Sequence, residues 1–198
     1  MINHMTTEHQ ESTPRRPIPA WAQVLIWMVL LALLALLATG VMRGQSGLMS
    51  VGKEVPDFTL LTYEGYGYDG RGEVSLSELR GKVVLINFWA SWCKPCESEA
   101  LELEEAWQHY QPGNEVVFLG VDYVDTEPEA RSYLAKFNIS FPNGPDLGTR
   151  ISLLFNRSMG VPETYILDRQ GILRMIKIGP FQSPEDVIET VDAVRSGE

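Results

Sequence analysis

The chain has 198 residues, 44% of them hydrophobic, which excludes an unfolded polar chain and suits one domain plus an additional segment. The formal net charge is −10, so a nucleic-acid partner is not expected, because phosphate binding needs clustered Lys and Arg. The charge is uneven: residues 1–43 carry Arg15, Arg16 and Arg43 against Glu8 and Glu11, which leaves −11 on the remaining 155 residues.

Residues 1–20 are rich in Pro, Thr and charge and are expected to form a disordered cytoplasmic tail. Residues 21–41, WAQVLIWMVLLALLALLATGV, contain no charge over 21 positions. A helix that spans the hydrocarbon core of a bilayer needs about 20 such residues. Trp21 and Trp27 stand toward the N-terminal end, where aromatic side chains favour the interface. A cleaved signal peptide is the alternative, with Ala38-Thr39-Gly40 as a weak cleavage site. The apolar stretch exceeds the roughly 7–15 residues of a signal core, which favours an uncleaved anchor. Arg15 and Arg16 precede the stretch and Arg43 alone follows closely, so the positive-inside rule puts the N-terminus in the cytoplasm and the rest outside. Residues 42–54 read as a Gly/Ser-containing linker, and residues 55–198 as the folded domain.

Within that domain, residues 58–63 and 73–76 predict a small β-hairpin around the loop GYGYDGRG. Residues 82–90 (KVVLINFWA) and 115–121 (EVVFLGV) are continuous β-branched and aromatic runs, the pattern of strands buried on both faces. Between them, Ala100, Leu103, Trp107 and Tyr110 repeat at helical spacing from Cys93 onward. Strand, helix, strand implies a parallel pair. A second helix is expected from Thr126, where Thr126 and Glu129 have capping-box spacing and Pro128 suits a first turn. A shorter helix follows near residues 148–156. Residues 163–167 and 172–178 are strands joined by the turn Asp168-Arg169-Gln170-Gly171, hence an antiparallel hairpin. Ser183 and Pro184 start a final helix that Gly197 stops. The fold class is α/β: a mixed central sheet flanked by helices, with an N-terminal hairpin extension.

There are only two cysteines, Cys93 and Cys96. A multi-disulfide framework is excluded by number, and a four-ligand zinc site lacks ligands. If Cys96 and His109 shared a helix, thirteen residues would hold them roughly 20 Å apart, too far for one metal ion. No metal and no cofactor is therefore expected. Cys93-Lys94-Pro95-Cys96 sits where a buried strand gives way to a helix. Cysteines at i and i+3 of a helix start face one side, within the distance a disulfide spans. The first meets the unpaired amides and positive dipole end of the helix, which stabilise a thiolate. Cys93 is then the attacking or leaving thiolate, and Cys96 resolves the mixed disulfide.

Phe88-Trp89-Ala90-Ser91-Trp92-Cys93-Lys94-Pro95-Cys96 resembles the active site of the thioredoxin superfamily, and Val161-Pro162-Glu163-Thr164 resembles its cis-proline loop. With Val55-Pro56-Asp57-Phe58 and Leu76-Ser77-Glu78-Leu79-Arg80-Gly81-Lys82, these motifs are similar in kind and order to the membrane-anchored ResA/TlpA/CcmG family of extracytoplasmic thiol-disulfide oxidoreductases. The resemblance spans roughly residues 51–196. It implies a thioredoxin fold and a cis Pro162 beside Cys93, in a loop with Val161 whose backbone pairs with the substrate polypeptide. It implies further that Trp92 contacts the partner, and it puts Glu163 at the rim of the site. A buried strand Asp of cytoplasmic thioredoxins is replaced here by Asn87, whose amide cannot titrate.

Five glutamates lie on the helix that follows Cys93. Stepping 100° per residue, Glu99 falls roughly 60° from the centre of the buried stripe, closer than Glu97, Glu102, Glu104 or Glu105. Burial would raise its pKa and suit it to exchange a proton with Cys96. The family resemblance assigns a function to the same position. The other four are expected on a solvated face, Lys94 in solvent and Trp89 in the core. The function these readings define is reduction of protein disulfides by the Cys93/Cys96 dithiol outside the membrane. The resemblance names apocytochrome c haem-site cysteines as clients and a membrane thiol carrier as electron donor. Rival readings are a disulfide oxidase or isomerase, a thiol peroxidase and a copper chaperone. The peroxidase pattern places a proline seven residues before the reactive cysteine, where this chain has Ile86. The chaperone needs a distal histidine, and residues 111–198 contain none.

Overall fold

The computed structural model describes residues 19–44, 49–157 and 160–197. The disordered tail expected over residues 1–20 lies almost wholly outside the described residues. So do residues 45–48 of the linker. The chain divides into two units, residues 1–46 and 47–198.

The first unit holds helix α1, Ala20–Gly44. Its window Ala20–Leu37 has mean hydropathy 2.4 and no buried residue. By length and composition the helix can cross a membrane.

The second unit is built on a five-stranded mixed sheet. The strands are β3 (Val83–Trp89), β4 (Val116–Asp122), β5 (Asn143–Pro145), β6 (Glu163–Leu167) and β7 (Leu173–Ile178), after an N-terminal hairpin of β1 (Thr59–Leu61) and β2 (Glu73–Ser75). The sheet order is β5-β4-β3-β6-β7. β3 pairs parallel with β4 and antiparallel with β6, so it is the central strand, and all seven of its residues are buried. Side chains alternate along β3 and feed two separate cores. Val83, Leu85 and Trp89 pack with helices α2 (Lys94–Tyr110), α3 (Glu127–Lys136) and α5 (Pro184–Ser196). Val84, Ile86 and Phe88 pack on the other face with the hairpin and helix α4 (Arg150–Phe155).

The expected elements are present, with four differences. β5 was not anticipated: Asn143-Gly144-Pro145 has the composition of a turn, yet it extends the sheet beside Gly120–Asp122. Gly120 permits this, because a Cβ there would collide with the Asn143 side chain. The capping box at Thr126 does not form. The Thr126 hydroxyl bonds the Glu129 carboxylate at 2.7 Å, while no cap bond joins it to the backbone. β2 ends at Ser75, and Leu76, expected in the strand, opens a 3-10 turn over Leu76–Leu79. The domain also gathers its chain before residue 55, since Gly52 N–H donates to the Leu173 carbonyl at 2.7 Å and Glu54 bridges Ile172. The C-terminal helix keeps its expected ends, with Ser183 Oγ accepting from Asp186 N–H and Gly197 in the left-handed conformation.

Candidate active site

The site forms where central strand β3 ends and α2 begins. Cys93 is the N-cap of α2, and Pro95 lies in its first turn, where a missing N–H costs nothing. Cys93 and Cys96 form a disulfide with their Cα atoms 5.3 Å apart. The Cys93 sulfur accepts a hydrogen bond from Cys96 N–H at 3.1 Å. In the reduced protein that amide and the helix end favour the thiolate of Cys93 over its thiol. Cys96 is fully buried and Cys93 is 4% exposed, so Cys93 is the sulfur an incoming reagent meets first. Tyr133 of α3 donates to the Cys96 carbonyl at 2.7 Å and stacks on Trp89, which ties the helix start to the sheet.

Glu99 lies one turn further along α2 and is 1% exposed. Its Oε1 accepts from the Asn87 amide at 2.8 Å and its Oε2 from Phe181 N–H at 3.0 Å. Asn87 also donates to Thr164 of β6. Burial pushes the Glu99 carboxyl up to about 7, against the pull of these two donors and of Lys177. Glu99, Asn87 and Cys96 line one internal cavity of about 10 Å³, roughly the space one water molecule occupies. A carboxyl raised toward neutrality by burial therefore lines the same largely apolar pocket as Cys96.

The other side of the site is the segment before β6. The Val161–Pro162 peptide is cis. Glu163 pairs in register with Phe88, so Pro162 sits beside the end of β3 from which the cysteine loop departs. Val161 packs against the core that contains both cysteines. Trp92 is 60% exposed and anchors its indole N–H on the Val124 carbonyl at 3.2 Å. That combination of a held ring and an open face suits contact with a partner. Lys94 stands in solvent and pairs with Glu97.

Glu163 does not sit at a rim. It is 1% exposed and paired with Arg157 at 2.8 Å, because the strand it begins is buried throughout. Glu104 departs from the solvated face expected of it. Its carboxylate accepts from Ser140 N–H at 2.8 Å and from the Ser140 hydroxyl, contacts from a distant loop that no helical projection reveals. Sequence reasoning also missed Asp122. It lies at the end of β4 in register with Trp89, accepts from Tyr63 O–H at 2.7 Å, and is pushed up to about 7 by burial. The only signal was a lone acid at the end of a buried apolar run. Among the described residues, no group of three His, Cys, Asp or Glu side chains is placed to hold a metal ion.

A helix-start disulfide, a buried acid that lines a cavity with its inner cysteine and a cis-proline segment alongside define a thioredoxin-like dithiol–disulfide protein. Residues 51–176 match the AhpC/TSA family, and the chain belongs to it. Several of its relatives are named thiol-disulfide oxidoreductases. The chain is 34% identical over 125 residues to the thiol-disulfide oxidoreductase ResA of Bacillus cereus, covering 62% of this chain and 66% of that protein. It is 33% identical over 135 residues to the thioredoxin-like protein YneN of Bacillus subtilis, covering 68% and 75% respectively. A putative thiol:disulfide interchange protein DsbE from Chlorobium tepidum superposes with a TM-score of 0.63 at 24% identity, over 73% of this chain and 96% of that one. That last likeness supports the fold. The enzyme class follows from the relatives together with the cysteine pair.

Proposed function

We propose that this thiol-disulfide oxidoreductase is held in the membrane by α1 and reduces disulfides of polypeptides on the outer side. The observation that carries the reading is the Cys93–Cys96 disulfide on a helix start, with the buried Glu99 lining the same cavity as Cys96. In the reduced enzyme the Cys93 thiolate attacks a sulfur of the substrate disulfide. A bond forms between Cys93 and that sulfur, and the other substrate sulfur leaves as a thiolate that takes a proton from water. Glu99 then accepts the Cys96 proton through the shared cavity. The Cys96 thiolate attacks the Cys93 sulfur, the second substrate thiolate leaves, and the Cys93–Cys96 disulfide closes. Two electrons have passed from the enzyme dithiol to the substrate. An external dithiol carrier must return them, because the compartment drives the pair oxidised.

Several features support the finer parts of this reading. The arginines that flank the apolar stretch favour a cytoplasmic N-terminus. Exposed Trp92 offers a partner a ring, and the segment of Val161 and Pro162 lies beside the end of β3 from which the cysteine loop departs. The family resemblance points to apocytochrome c haem-site cysteines as clients and to a membrane thiol protein as donor. The experiment is to express the full chain with Cys96→Ser and recover the mixed disulfides that accumulate on Cys93. Extracytoplasmic polypeptides with paired cysteines, haem-binding ones among them, are the expected captures. Capture of cytoplasmic proteins only contradicts the topology, and no capture contradicts the reductase reading. Peroxide consumption above background by the wild-type chain would favour a thiol peroxidase instead.

A further inference from the structure

The segment that carries Val161 and cis Pro162 is gripped from the side of the sheet opposite Glu99. Glu163 begins β6 in register with Phe88, and Phe88 belongs to the core beneath α4. A carboxylate buried there needs a partner of opposite charge. Arg157 supplies it: Nε donates to Glu163 Oε2 at 2.8 Å, and Tyr165 O–H donates to the same oxygen at 3.0 Å. The Arg157 side chain is itself 5% exposed. Its guanidinium lies against the rings of Phe88 and Tyr123, 4.4 and 4.6 Å from their centroids. Nη1 donates to Ser152 of α4 at 3.2 Å, and Nη2 donates to the Gly160 carbonyl. One planar group thus ties helix α4, strand β3, the end of β4, and the two residues that bracket Val161 and Pro162. A Lys head group has neither the fork nor the flat faces for this.

We infer that Arg157 and Glu163 are positioning residues, which fix the backbone from Gly160 to Glu163 in the shape that receives a substrate polypeptide. Glu163 therefore acts through Arg157 and touches no substrate. Stability alone is a poor account of the pair, since a buried ion pair is often matched by well-packed neutral side chains of similar volume. The bonds to Gly160 and Glu163 on either side of the cis-proline are what a neutral replacement cannot reproduce.

The inference rests on the reductase reading above, and the test separates the two. Dithiothreitol-reduced full-length chain in detergent is assayed on insulin, a polypeptide disulfide, and on oxidised glutathione, which is too small to need the whole segment. The variants are Arg157→Lys, Arg157→Met, Glu163→Gln and the neutral double variant Arg157→Met with Glu163→Gln. Positioning predicts that the double variant loses at least tenfold more kcat/KM on insulin than on glutathione disulfide, chiefly through a higher KM. Arg157→Lys falls between it and the wild type. An insulin-to-glutathione ratio equal to the wild type in the double variant overturns the inference. If the double variant does not fold, the same equality in Arg157→Lys or Glu163→Gln overturns it. A wild-type chain inactive on both disulfides overturns the functional reading, and the inference with it.

Discussion

Glu99 and Glu163 are each 1% exposed, and the two faces of one sheet hold them by different means. On the α2 face, Glu99 meets only neutral donors, the Asn87 amide and Phe181 N–H, and burial lifts it to about 7. On the α4 face, Glu163 meets the Arg157 guanidinium at 2.8 Å. Neutral donors leave a buried carboxyl free to gain and lose a proton near neutral pH, which suits chemistry at a thiol. A guanidinium that also reaches Gly160 and Ser152 turns the carboxylate into a fastening. The same residue type is thus held by neutral donors on one face and by a guanidinium on the other.

The comparison can be broken at several points. The largest effect is expected from Cys93→Ala, which removes the proposed nucleophile and should abolish disulfide reduction in a turbidity assay. Arg157→Met strands a buried carboxylate. It should lower stability by about 3–5 kcal/mol in denaturant unfolding, and adding Glu163→Gln should return part of that loss. Glu99→Gln should slow reduction by about a hundredfold and flatten the pH–rate profile near neutrality. It should also change the pH dependence of stability. The carboxyl titrates near 4.5 ordinarily and at about 7 when folded, so the native state holds its proton more tightly. Wild-type stability is then fullest below the ordinary value and falls as pH rises toward 7, by about 3 kcal/mol from this group. Asp122 adds a fall of the same sign. Denaturant unfolding at pH 5 and pH 8 should show Glu99→Gln gaining on the wild type as pH rises, while Asp122 still gives the variant a slope. The smallest effect belongs to Tyr133→Phe, which removes the bond to the Cys96 carbonyl and should cost about 1 kcal/mol in thermal unfolding.

The two faces were unequally legible in the sequence. Cys93, Cys96 and Glu99 lie on one helix, so a 100° step relates them, and the buried position of Glu99 follows from the stripe of Ala100, Leu103, Trp107 and Tyr110. Strands β3 and β4 announce themselves as unbroken apolar runs. The α4 face offers no such rule. The residues between Arg157 and Glu163 carry no periodicity in the sequence, and a charge that opens a strand is as compatible with a rim as with a buried pair. β5 is hidden for a related reason, since its Asn, Gly and Pro favour turns, and the sheet position is set by pairing with Gly120–Asp122. Glu104 is buried by Ser140, a loop residue that helical stepping cannot reach.

The account turns on the direction in which the cysteine pair works, and the reduction potential of Cys93/Cys96 tests it most directly. The full-length chain would be equilibrated in glutathione or dithiothreitol buffers and its dithiol fraction read by alkylation. A potential of about −270 mV or lower, near that of thioredoxin, is the predicted result for a disulfide reductase. A potential near about −120 mV, that of a strong oxidant, would contradict it and make disulfide formation the activity of this site.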